Sequence, residues 1–414
     1  MSIPLFLLTF NCGKLKLNAD AFTEHLLQAL PDSPPDLFVF GFQEICSILD
    51  GSFPHLVRKH VIDINRVLIH ALKTKYNEPE NSGLAFTTIG VHHVGAIAMI
   101  AVTPYVLRFG TCKFASASCG YANSLMKGGV GVRVSYTSPD AVLTELTFAT
   151  AHLSAFEGHP QYERRLMDVQ TLMRAMDFKD GHSFLKPDSH AFFMGDLNFR
   201  TTQDPKFCAE DLREVQDTEA LSDHISSLVA KHDELTHGRV NGEVFAGFDE
   251  ACIEFRPTYK FHLNTAIYNT KRCPLWCDRI LYQSTYKKGA APVVHAYNSI
   301  QTYLGSDHRP VYLQITIPLE APELIIGDNG YLVVLPVALH LEHNSQIKDF
   351  DPNRTVSGPT QVYMKFTALD QVNQHISRPT ADFTIGWGLW FGTTSRGRIS
   401  MLALTLLAWV LYAI

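Results

Sequence analysis

Short apolar runs rich in β-branched and aromatic residues recur along most of this chain, and several of them end on polar side chains of one kind. They are PLFLLTF near the start, DLFVFGFQE at 36–44, GAIAMIAV at 95–102, GGVGVRVSY at 128–136, LTELTFATAHL at 143–153 and HAFFMGDLNF at 190–199, with WCDRILYQ and RPVYLQITIP further on. Their length and residue types predict strands. Amphipathic stretches at 20–30, 54–75, 159–176 and 210–231 alternate loosely with them and predict helices. The pattern is that of an α+β protein with two sheets.

Composition sets the outer bounds. With 414 residues, 46% of them hydrophobic and 18% charged, the chain can bury a large core. A net charge of −6 and a pI of about 6.3 exclude a global positive field, so any polyanion must meet a local basic site and nucleic acid is not an expected partner. The eight cysteines, at 12, 46, 112, 119, 208, 252, 273 and 277, form neither zinc-type pairs nor a dense disulfide framework. They read as reduced thiols of a cytosolic protein. The opening MSIPLFLLTFNCG lacks the basic region of a signal peptide, so the N-terminus is expected to stay in the cytosol.

The strand ends carry the chemistry. In GDLN, Asp196 and Asn198 are two apart, and on extended chain such side chains share a face. Asn11 in TFNCG, Gln43 and Glu44 in GFQEI, His152 in TAHL, and Asp307 and His308 in GSDHRPV end or begin other runs. Open sheets gather reactive groups along one rim, so convergence of these residues is the signal. Their hard oxygen donors, without a Cys/His cluster, match Mg²⁺. The inventory describes phosphoester hydrolysis. Glu44 and Asn11 hold the metal, and Asp196 orients and deprotonates water. Asn198, His152 and His308 stabilise phosphoryl charge, and Asp278 in WCDRIL orients His308 and raises its pKa.

FFMGDLNFR, RPTYKF, KRCPLWCDRIL and SDHRPV, in that order, resemble the signature blocks of the inositol polyphosphate 5-phosphatases, within the superfamily that also holds deoxyribonuclease I. The resemblance covers residues 1–318. It implies a four-layer α/β/β/α sandwich with the site at one end. By the same resemblance Asn11 and Glu44 are metal-site residues, His152 and His308 contact phosphate, Asp196 is the base with Asn198 as its partner, and Asp307 lies beside the site. Tyr259 and Lys260, with Lys271 and Arg272, resemble a clamp on the 4-phosphate of an inositol ring. Lys127 in MKGGVGVRV is a further phosphate-facing candidate. Met126, Phe193, Phe156 and Ala251 depart from the family pattern without removing a catalytic group.

Past residue 318, residues 319–382 read as a hairpin-like appendage and linker, and 383–395 as an aromatic segment suited to a membrane interface. Residues 396–414 read as a tail anchor, with 16 uncharged positions from Ile399 to Ile414 after Arg396 and Arg398. At 1.5 Å per residue that stretch reaches about 24 Å, close to the roughly 27 Å hydrocarbon core of the endoplasmic reticulum. The combination is similar to that of tail-anchored phosphatidylinositol 4,5-bisphosphate 5-phosphatases of the fungal endoplasmic reticulum. The expected function is therefore Mg²⁺-dependent removal of the 5-phosphate from that lipid, with the catalytic domain in the cytosol and no obligate protein partner. Hydrolysis of soluble inositol polyphosphates, or a catalytically weak phosphoinositide tether, are the alternatives.

Overall fold

The computed structural model describes residues 2–76, 84–201, 218–269, 271–287, 290–323, 325–326, 332–333 and 366–413. Two six-stranded sheets dominate them. One runs in the order β11-β12-β1-β2-β4-β3 and the other β5-β6-β7-β8-β10-β9. The strands of the first are β1 (Ser2–Asn11), β2 (Leu37–Gln43), β3 (Thr87–Val94), β4 (Ile97–Thr103), β11 (Val293–Ser299) and β12 (Val311–Pro318). Those of the second are β5 (Lys113–Ser118), β6 (Gly128–Thr137), β7 (Leu143–His152), β8 (Ser189–Asp196), β9 (Phe248–Asp249) and β10 (Asp278–Gln283). Each sheet holds one parallel pair, β1 with β2 and β7 with β8, among antiparallel neighbours.

The unbroken apolar runs follow from burial on both faces. Along β1, Leu5 and Leu7 enter the core between the sheets, where they join Val39, Met99, Val132, Phe148, Phe192 and Met194. The alternate residues Phe6, Leu8 and Phe10 enter a second core. Helices α1 (Ala19–Ala29) and α3 (Pro54–Lys75) close it with Phe22, Leu26, Val57, Ile64 and Leu68. On the far side, Ala149, Ala151 and Phe193 pack under Val169, Leu172 and Met173 of α4 (His159–Ala175). The order helix, sheet, sheet, helix is the four-layer sandwich expected from the sequence. A one-turn α2 (Ile48–Gly51) follows β2, while α5 (Thr218–His232) and α6 (Glu234–Val240) follow β8.

Beyond β12, a short hairpin pairs Ile325–Ile326 with Leu332–Val333, inside the segment expected to hold one. Residues 334–365, most of the expected linker, lie outside the described residues. From 366 the chain is helical: α7 (Ala368–Val372), α8 (Arg378–Thr393) and α9 (Ser395–Ala413). The first two are docked on the sandwich. Arg174 of α4 binds Asp370 bidentately at 3.0 Å, and Asp370 is buried. Helix α9 is exposed along its length save Gly397, and among the described residues it is the helix long and apolar enough to cross a membrane.

Candidate active site

The sheet topology places the expected residues on one rim. Parallel strands β1, β2, β7 and β8 end there with Asn11, Gln43, His152 and Asp196, and the antiparallel β6, β10 and β12 begin there. Register makes this concrete: Asp278 pairs with Asp196, and Gly128, next to Lys127, pairs with His152. Gly195, just before Asp196, has φ of +143°, and a Cβ there would lie 2.0 Å from the Ala151 carbonyl oxygen. Glycine therefore lets β8 run close against β7 up to its last residue.

Asp196 is the hub. Its Oδ2 accepts from Asn11 Nδ2 at 2.8 Å and faces the Nε2 atoms of His152 at 3.2 Å and His308 at 3.9 Å. Its Oδ1 accepts from the Asn198 backbone N–H at 3.2 Å. Burial opposes its charge, yet the fields of His152, His308 and Lys127 hold Asp196 well below the usual carboxylate range. It is ionised, and its oxygens accept hydrogen bonds.

The two histidines differ. Burial alone would lower His308, but Asp278, whose Oδ2 lies 2.9 Å from Nδ1, and Asp196 raise it to about 9. Thr258 Oγ1 donates to the same Asp278 oxygen at 2.6 Å and so fixes the carboxylate. His152 is instead lowered, by burial and by Lys127, whose ammonium approaches Nε2. The two histidines are therefore shifted in opposite directions, His308 up by its carboxylate partners and His152 down by burial and Lys127.

Two amide side chains tie the rim together. The amide of Asn198 donates to the Leu153 carbonyl at 3.1 Å and accepts from Arg200, so it ties the strand ends together. The Asn11 Oδ1 accepts from Gly13 N at 2.9 Å while its NH₂ serves Asp196. Glu44 sits at φ +47°, with its side chain 26% exposed and in reach of Lys14 at 3.5 Å and His152 at 3.8 Å. Tyr259 lies with its ring 4.4 Å from that of His308, and Lys260 pairs with Asp307 at 3.1 Å. Arg272 reaches Glu157 at 3.5 Å on the surface and Lys271 is exposed, so these two stand outside the hydrogen-bonded cluster.

Three contributors escaped the sequence reading although they lie in the quoted blocks or beside them. Thr258 buttresses Asp278. Arg200, the last residue of FFMGDLNFR, lies 5.2 Å from the Tyr259 ring centroid. Glu250 binds Arg279 through two bonds of 2.7 Å and Tyr297 through another, beneath the strand that carries Asp278.

The donor set suits a divalent cation. Asp196, Asp278 and His308 bring ligand atoms within 4.8 Å of one another, a set that includes His308 only when its imidazole is neutral, and Asp278 Oδ1 is buried without a hydrogen-bond partner. Glu44 adds an oxygen donor on the open side, where water can complete a shell.

Comparison with known proteins places this rim. Residues 8–314 match the family described as endonuclease/exonuclease/phosphatase family 2. The chain belongs to that family. Within it, the similarity is to inositol polyphosphate 5-phosphatases. The chain is 30% identical over 323 residues to inositol-1,4,5-trisphosphate 5-phosphatase 1 of Schizosaccharomyces pombe, covering 75% of this chain and 27% of the relative. It is 29% identical over 251 residues to phosphatidylinositol 4,5-bisphosphate 5-phosphatase INP51 of Saccharomyces cerevisiae, covering 56% and 24%. The chain thus spans about a quarter of the length of either relative. Among solved structures, the 5-phosphatase domain of SpSynaptojanin, in complex with inositol (1,4)-bisphosphate and calcium, superposes with a TM-score of 0.60 at 27% identity, covering 77% of this chain and 84% of that one. In this family member Phe193 is buried against Phe184 and Phe245, whereas Phe156 is exposed in the loop after His152.

Proposed function

We propose that this protein is a divalent-metal-dependent phosphoinositide 5-phosphatase whose preferred substrate is phosphatidylinositol 4,5-bisphosphate, with phosphatidylinositol 4-phosphate and inorganic phosphate as products. The observation that carries the reading is the joining of Asp196, Asp278, His308 and Tyr259, from four separate sequence blocks, into one contacting group. Residues 1–318 form the catalytic unit.

Water adds to phosphorus as the bond to the inositol 5-oxygen breaks. Ionised Asp196, held by Asn11, orients the water and accepts its proton. Protonated His308, locked by Asp278, faces the developing phosphoryl charge. Glu44 with Asn11 would hold Mg²⁺, and the ion would supply positive charge for the phosphoryl oxygens. Lys127 supplies a second cation at the rim. Tyr259 and Lys260 receive the 4-phosphate, the lysine exchanging Asp307 for it, with Lys271 and Arg272 as outer cations.

Helix α9 anchors the enzyme in a membrane. Its short apolar stretch favours the thin bilayer of the endoplasmic reticulum, with the catalytic unit on the cytosolic side and the aromatic residues of α8 near the interface. A second reading, action on soluble inositol polyphosphates, is favoured by the trisphosphate 5-phosphatase among the relatives. Phosphate release from a panel of phosphoinositides and soluble inositol phosphates separates the two. Preference for the lipid 4,5-bisphosphate supports the first, faster turnover of the soluble trisphosphate supports the second, and release from neither defeats both.

A further inference from the structure

Helix α8 meets the catalytic rim with one face. Arg378, Asp382 and Gly386 recur every fourth residue, a spacing that aligns them along one side of a helix. Arg378 Nη1 donates to Ser116 Oγ on β5 at 3.4 Å. Asp382 Oδ1 accepts the Leu125 backbone N–H at 2.8 Å. Gly386 lies against α2, where a Cβ would stand 2.7 Å from Ser52 Cβ, and Trp387 packs edge-on against Phe53 with centroids 6.0 Å apart. Just before α8, Asn373 Oδ1 accepts from Asn123 Nδ2 at 3.1 Å.

The segments so held are those that deliver two charged groups to the site. Leu125 lies two residues before Lys127, in a loop closed by the Lys127 carbonyl, which accepts from Cys119 N and Gly120 N at 3.0 and 3.1 Å. Inside that loop Ala122 and Asn123 take left-handed conformations, at φ +50° and +62°. The Asn123 and Ser124 N–H groups donate to the Gly120 and Tyr121 carbonyls at 3.0 Å, and the contacts from α8 add to these local bonds where the chain leaves the ordinary backbone regions. Helix α2 begins four residues after Glu44. A single helix therefore clamps the approach to Lys127 on one side and to Glu44 on the other.

We propose that α8 is a brace for the active site and that Asp382 is a positioning residue, acting through the Leu125 N–H to keep the Lys127 ammonium beside His152. The catalytic part of this inference rests on the phosphatase reading; the structural part does not. Because α8 runs into the apolar α9 across Thr394 alone, the element that reaches the bilayer also shapes the rim.

The test uses the full-length protein in detergent micelles with dioctanoyl phosphatidylinositol 4,5-bisphosphate. Asp382→Ala is expected to lower kcat by about tenfold or more, the scale of misplacing a group by a fraction of an ångström to an ångström. Asp382→Asn, which keeps the acceptor oxygen, is expected to stay within about threefold of wild type. In a Lys127→Ala background, Asp382→Ala is expected to add less than about twofold, because the two act through one ammonium. Amide exchange of residues 120–126 is expected to quicken by about tenfold in Asp382→Ala, the loss of one hydrogen bond. If that variant does not fold, Asn373→Ala removes the neighbouring tie and is expected to give a smaller kcat loss, again cancelled by Lys127→Ala. Unchanged exchange, an additive double variant, or an Asn variant as impaired as the Ala variant overturns the brace. A wild type that releases no phosphate while exchange responds as stated strikes the phosphatase reading and leaves the brace standing.

Discussion

His308 and Asp278 are joined by a 2.9 Å contact between Nδ1 and Oδ2, and the imidazole turns its other nitrogen toward Asp196. Burial works against the charged ring, but the two carboxylates raise its pKa to about 9. A raised histidine pKa contributes stability that is complete below the ordinary value of about 6.5 and is lost as pH rises through about 9. In the proposed mechanism the same protonation governs phosphate stabilisation. Turnover is expected to fall as pH passes about 9, and Asp278→Asn is expected to draw that alkaline limb down toward neutrality. A pH profile of kcat with an unmoved limb assigns the limb to another group.

Asp196 is ionised and held at four points, so replacing it tests its charge rather than its packing. Asp196→Asn is expected to leave the chain folded, with a lowered thermal transition because the ionised carboxylate is favoured by its cationic neighbours, and to lower kcat by on the order of 10²-fold or more. Activity within a factor of a few removes Asp196 from the water-activating role.

The rim was legible because parallel strands and their antiparallel neighbours deliver chain ends to one edge, and the polar residues stood at those ends in the sequence. Asp196, His308 and Asp278 could be grouped on that basis. What stayed hidden was direction: a sequence shows Asn198 beside Asp196 but not that its amide turns to the Leu153 carbonyl. It shows His152 and Lys127 but not that they meet, a contact that lowers the pKa of the histidine. The docking of α7 was equally unreadable, since a long-range pair such as Arg174 with Asp370 leaves no local period in the chain.

Lys260 is ion-paired with Asp307 while remaining partly exposed, so it can exchange that partner for a phosphate. Lys260→Ala is expected to weaken kcat/KM on the 4,5-bisphosphate by roughly 1.5 to 3 kcal/mol, about 10- to 100-fold, relative to a substrate lacking the 4-phosphate. Equal losses on the two substrates place the lysine in a general structural or electrostatic role.

Glu44 is the carboxylate on the open side of the cluster, and its backbone at φ +47° aims it from the end of β2. Chelation by EDTA is expected to abolish turnover and Mg²⁺ to restore it. Glu44→Gln keeps shape but loses charge, and is expected to raise the Mg²⁺ concentration needed for half-maximal rate. Hydrolysis undiminished in chelator refutes metal assistance.

The proposed anchoring by helix α9 would decide where such an enzyme works. Its 19 residues span about 28 Å at 1.5 Å per residue, but the uncharged stretch after Arg398 reaches only about 24 Å, close to a bilayer of roughly 27 Å and short for a thicker one. A core helix would bury a stripe, yet every residue here except Gly397 is at least partly exposed. Arg396 and Arg398 stand at the end nearer the sandwich, where long basic side chains can reach headgroups. The brace formed by α8 ends at Thr393, so a chain cut after Thr394 retains every described contact with the rim. That truncated protein is expected to be soluble, folded and as active as the full chain on water-soluble lipid analogues. The full chain is expected to resist alkaline carbonate extraction from microsomes, and protease added outside sealed vesicles is expected to digest the catalytic unit. Release by carbonate, or protection of that unit from protease, defeats the anchor with a cytosolic catalytic unit and requires another surface to cover α9.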